Sequence, residues 1–140
     1  SGDRMTAWQS FGKLTHASQD YYSHSNYINL WADQIGNANK SSITAGEVLL
    51  PSIMDDPRLV SGRFYAPWEL ITFLPCIGRK LARLFPDDSH AKLNKDSPNR
   101  SRLFPIVYQA AVLRTIFEYN EVIKLLLPNE QSLFRDLMEQ

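Results

Sequence analysis

The sequence predicts an all-α fold, on three observations. Apolar residues recur near the helical period over long stretches, strand-type alternation is nearly absent, and Pro and Gly punctuate the chain where helices should start or stop. At 140 residues and 44% hydrophobic, the chain can bury one core and is too short for two, so 1–140 is expected to be one multi-helical domain.

The first helix is predicted over 3–22. Met5, Trp8, Phe11 and Leu14 recur at every third position and mark its packing side, with Asp3 as N-cap. The stretch 27–31 reads as a short helical continuation, and 36–42 is a loop by composition. Thr44-Ala45-Gly46-Glu47 has capping-box spacing ahead of Val48-Leu49-Leu50, a run that Pro51 ends. Pro57 and Pro67 each suit the first position of a short helix, and Ser61-Gly62 suits a turn between them. Residues 68–85 are helical in pattern with breaks at Pro75 and Gly78, and 86–98 reads as a polar loop holding His90. The strongest helix is predicted over 103–127. Ile106, Ala110, Leu113, Phe117, Val122, Leu125 and Leu126 keep its period, and Pro128 ends it. A last amphipathic helix carries Leu133, Phe134, Leu137 and Met138, able to pack back or to face a partner. The first helix and the 103–127 helix bear the longest apolar stripes and are expected to pack on each other.

Fifteen basic and fifteen acidic residues cancel, so bulk charge argues against a nucleic-acid coat or an electrostatic membrane binder. Arg79, Lys80 and Arg83 form a local basic group, as do Arg100 and Arg102. The single cysteine, Cys76, excludes an intrachain disulfide framework, and its apolar neighbours mark it as core. No apolar run reaches the roughly 18 residues that span a bilayer, so no transmembrane segment is expected. The opening Ser1-Gly2-Asp3-Arg4 does not read as a signal peptide.

Two of the three histidines frame a carboxylate at four-residue steps: His16, Asp20, His24. Each step on a helix turns only about 40° beyond a full revolution, so the three side chains share one face within an arc of about 80°. Imidazole and carboxylate are the donors that borderline cations such as zinc prefer. The same spacing also suits side chains that hydrogen-bond to one another and organise a polar core. The third histidine, His90, lies in a second polar group with Asp87, Asp88 and Ser89, followed by Asn94-Lys95-Asp96.

The string from Phe11 to Asn26, with its core His16-Ala17-Ser18-Gln19-Asp20-Tyr21-Tyr22-Ser23-His24-Ser25-Asn26, resembles the signature of the Het-C (heterokaryon incompatibility) family. The later blocks Leu59–Phe64 and His90–Pro98 and the helix bearing Ala110, Ala111 and Thr115 follow in the same order. Het-C proteins in turn look like distant relatives of the helical zinc-dependent phospholipases C and the single-strand nucleases of that fold. The resemblance implies a core of that type, zinc as cofactor, and a phosphoester or phospholipid substrate. By it, His16 and Asp20 are metal ligands, Asp20 as a bridge between ions, and His24 is a third. Asp96 or His90 then serves as a further ligand or as general base.

The departures are specific. The enzymes carry H-x-x-x-E on a late helix, and by the resemblance Glu118, in register with that glutamate, is a metal ligand, while Arg114 takes the place of the histidine. Arginine stays protonated and cannot ligate zinc. Arg114 is expected to pair with Glu118 or with Asp20. Ligands that the enzymes place before the histidine helix have almost no sequence to come from here, so 1–140 reads either as a whole domain or as the C-terminal part of a longer natural chain. The two functions that follow are a zinc-dependent phosphoester hydrolase and a non-catalytic Het-C-type interaction or scaffold domain with a protein partner, whose metal site is vestigial or structural.

Overall fold

The computed structural model describes residues 4–34, 40–74 and 77–136. Its architecture is all-α, and no strand forms among the described residues. Helix α1 spans Arg4–His24 and α2 Tyr27–Gln34. After them come the short α3 (Pro51–Met54), α4 (Gly78–Leu81) and α5 (His90–Leu93), then α6 (Phe104–Leu125) and α7 (Pro128–Asp136). Three 3-10 turns, Ala45–Glu47, Trp68–Phe73 and Ala82–Leu84, connect the short pieces.

As the apolar stripes require, α1 packs along α6. Gln19 Nε2 donates to Thr115 Oγ1 across the pair at 2.9 Å, and the Phe11 and Tyr119 rings meet edge-on at 6.3 Å. The packing side of α1 differs in part from the expected one. Residues three apart are offset by about 60° on a helix, so four of them sweep half a turn. Trp8 and Phe11, in the middle of that sweep, are partly buried, whereas Met5 and Leu14, at its two ends, are exposed.

The core forms at the other end of α1. Tyr22, Tyr27, Ile28, Trp31, Ile43, Val48 and Ile53 cluster with Ile106, Val107 and Ala110 of α6. Two phenols anchor the connecting segment. Tyr22 Oη donates to the Val48 carbonyl at 2.5 Å, and Tyr27 Oη donates to Glu47 O at 2.6 Å while accepting from Leu50 N–H at 2.9 Å. Burial pushes both phenols above the ordinary tyrosine range, so they stay neutral donors.

Prolines start helices more often than they end them here. Pro51 opens α3 and Pro128 opens α7, each at the first helical position, where the missing N–H costs nothing. Pro67 caps the Trp68–Phe73 turn, whereas Pro57 lies in a turn and opens no helix. The predicted polar loop 86–98 contains α5, whose N-cap Ser89 accepts from Lys92 N–H at 3.2 Å. The expectations for Asp3, Pro75, Cys76, Leu137 and Met138 fall outside the described residues. Phe134 packs back, stacked on Trp8 with ring centroids 4.5 Å apart.

Candidate functional site

The C-terminus of α1 organises the site. A helix leaves its last carbonyls without intrahelical partners, and these must be satisfied from elsewhere. Here Ser23 O accepts from Lys95 N–H at 3.1 Å, His24 O from Gly62 N–H at 2.5 Å, and Ser25 O from Lys95 Nζ at 2.5 Å. Asn26 then latches the 58–60 segment: Nδ2 donates to Arg58 O and Oδ1 accepts from Val60 N–H, both at 2.8 Å. Arg63 N–H donates to Asp88 O at 2.7 Å and Arg63 O accepts from His90 N–H at 3.0 Å. Three distant parts of the sequence are thus drawn onto the end of one helix.

This places His90 and Asp96 on His24. The two imidazoles stack with centroids 3.9 Å apart and an interplanar angle of 19°, and His24 Nε2 lies 3.3 Å from Asp96 Oδ1. The other ring nitrogen, Nδ1, is buried without a hydrogen-bond partner. Burial holds the His24 pKa below its ordinary value, Asp96 pulls against that shift, and His90 adds to it.

Glu69 lies behind His90. It is fully buried, with Oε2 accepting from Tyr65 N–H at 2.7 Å and Oε1 from Ala91 N–H. Those two backbone donors offset the cost of burying the carboxylate. His90 Nδ1 is 3.9 Å from Glu69 Oε1. Lys95 is also buried, and loss of hydration lowers its ammonium pKa to about 8.

His16 and Asp20 stand apart from this buried end. They pair with each other at 3.3 Å (Nε2 to Oδ2), and their side chains are 76% and 51% exposed, against 15% for His24. The shared helix face therefore runs from solvent into the protein. Glu118 lies on α6 and is taken by Arg114, whose Nε donates to Oε1 at 2.7 Å, the pairing expected one turn along.

The donor chemistry and one distance bear on zinc. Two ligand atoms each about 2.05 Å from a tetrahedral zinc are about 3.3 Å apart, while a charge-assisted hydrogen bond is about 2.7–2.9 Å. His16–Asp20 and His24–Asp96 both have the longer spacing. Each is a two-donor set, and among the described residues no three of His, Cys, Asp and Glu are grouped to hold one ion.

Sequence reasoning missed Glu69, Lys95 and the close approach at Gly62. Glu69 carried a signal, being the lone charge in Trp68-Glu69-Leu70-Ile71-Thr72-Phe73. Compared with known proteins, the chain matches no family model, no curated protein and no solved structure.

Proposed function

We propose that this chain is a Het-C-like, zinc-dependent phosphoester hydrolase domain of phospholipase C type. The observation that carries the reading is the pairing of His16 with Asp20 and of His24 with Asp96, both at the edge length of a tetrahedral zinc site. On this reading His16 with Asp20, and His24 with Asp96, each give two donors to a metal. A bound zinc would supply a Lewis acid for a phosphoryl oxygen and an acidified water.

The chain's own residues supply the rest. On this reading His90, whose Nδ1 lies 3.9 Å from the buried Glu69 carboxylate, accepts a proton from an attacking water. A cavity of about 390 Å³ opens beside Lys95, lined also by Asn26, Asn29, Asn94 and Arg100 and by Lys92, which is paired with Asp87. Amides and cations of that kind suit a phosphate ester.

The test is metal analysis of untagged protein together with turnover of a generic phosphodiester. We expect bound zinc that falls in His24→Ala and in His16→Ala, and turnover that His90→Gln reduces by about 100-fold or more with zinc retained. A second reading, the non-catalytic scaffold domain, is favoured by one observation: the late-helix carboxylate Glu118 is already neutralised by Arg114. A metal-free, well-folded protein without turnover in added zinc would decide for the scaffold.

A further inference from the structure

Among the described residues between Arg63 and Leu84, eight large apolar side chains are exposed. In the 3-10 turn Trp68–Phe73 the period is three, so its residues form three rows along the axis. Glu69 and Thr72 make the buried row. Trp68 with Ile71 and Leu70 with Phe73 make the other two, and all four face solvent, Trp68 at 73%. Helix α4 packs against this turn at Gly78, where a Cβ would collide with the Thr72 carbonyl. Ala82–Leu84 packs on α4 in turn. Phe64, Ile77 and Leu84 add to the exposed surface, Leu84 at 80%. Natural monomers keep contiguous surfaces of this kind for binding.

Charge identifies the occupant. Residues 63–84 hold four cations, Arg63, Arg79, Lys80 and Arg83, and a single carboxylate, Glu69, which is fully buried. Arg63, Lys80 and Arg83 are exposed. Asp87 and Asp88 follow just beyond the segment, Asp87 paired with Lys92 and Asp88 accepting from Tyr65 Oη. Between 63 and 84 itself, exposed Trp, Phe and Leu bordered by Lys and Arg with no exposed acid is the composition of a segment that lies in the headgroup region of an anionic bilayer.

We infer that this face, built from Trp68, Leu70, Phe73, Leu84, Lys80 and Arg83, docks on anionic lipid surfaces. The inference goes beyond the hydrolase reading and does not depend on metal. It also refines the whole-chain charge argument: in a molecule of zero net charge, residues 63–84 hold four of the fifteen cations and one of the fifteen carboxylates.

The test is sedimentation of the 140-residue chain with vesicles of equimolar phosphatidylcholine and phosphatidylserine, beside vesicles of phosphatidylcholine alone, with chelator throughout. We expect binding to the anionic vesicles that weakens with salt, together with a blue shift of tryptophan emission that Trp68→Phe abolishes. Trp68→Ser or Phe73→Ser should weaken binding by about tenfold or more, and Lys80→Gln or Arg83→Gln by about fivefold each. These side chains are exposed, so circular dichroism should stay that of the parent. No binding, equal binding to both vesicles, or binding unchanged in all four variants would overturn the inference. So would self-association that Phe73→Ser disrupts in a chain that ignores vesicles, since the face would then belong to a second copy.

Discussion

At Gly62 two backbones meet where a side chain would have to fit. A Cβ there would lie 2.9 Å from His90 Cα and 3.0 Å from the His24 carbonyl oxygen. Neither atom can swing aside as a side-chain tip could, and the Gly62 N–H is itself bonded to that carbonyl. Gly62→Ala should therefore cost about 1–3 kcal/mol, the usual range for overpacking, read as a lower urea midpoint at unchanged slope. An unchanged midpoint would show that the 61–63 segment can move off α1. The sequence marked Ser61-Gly62 only as a turn. Its partner His90 is far away along the chain, and no local pattern carries that distance. The same holds for His24 and His90. Each was legible as a polar residue in a polar cluster, but their stacking depends on which carbonyls at the end of α1 needed donors.

At the scale of elements, the capping box at Thr44 was legible because it is local. Glu47 Oε2 accepts from Thr44 N–H at 2.8 Å and from Thr44 Oγ1 at 2.7 Å, and Oε1 accepts from Lys40 Nζ at 2.9 Å. The Thr44 hydroxyl and then Lys40 hold its carboxyl down, from the ordinary 4.5 to about 2. A carboxylate whose folded pKa is depressed contributes stability above its unfolded pKa and loses it as pH falls through the folded one. Stability should thus decline from about pH 4.5 towards pH 2, and Glu47→Gln should flatten part of that decline in pH-resolved urea melts. An unaltered acid limb in the variant would assign it to other carboxylates. The region 68–85 was harder to read. Its apolar content looked helical, yet the buried pair Glu69 and Thr72 follows the 3-10 period, and Gly78 turns the next helix back onto Thr72. A tertiary contact set that break, and composition alone could not distinguish a period of 3.0 from one of 3.6 over six residues.

Over the whole molecule the long α1–α6 pair is held differently at its two ends. The end near His24 rests on the main core, with Tyr22, Trp31, Ile106 and Ala110 buried. The opposite end rests on a small aromatic group: Trp8 stacks on Phe134, and Phe11 meets Phe134 edge-on at 5.6 Å and Tyr119 at 6.3 Å. Among the described residues, Phe134 is the α7 member of this group, and its ring packs the last helix on the first. Clusters of this size open independently when their free energy is below that of the main core. Phe134→Ala should therefore speed amide hydrogen exchange by at least tenfold over the first turns of α1 and over α7, while exchange in α2 and at Val107 to Ala110 stays that of the parent. Exchange that rises by the same factor in both regions would show instead that the aromatic group and the main core unfold as one unit, with the α1–α6 contact transmitting the loss along its full length.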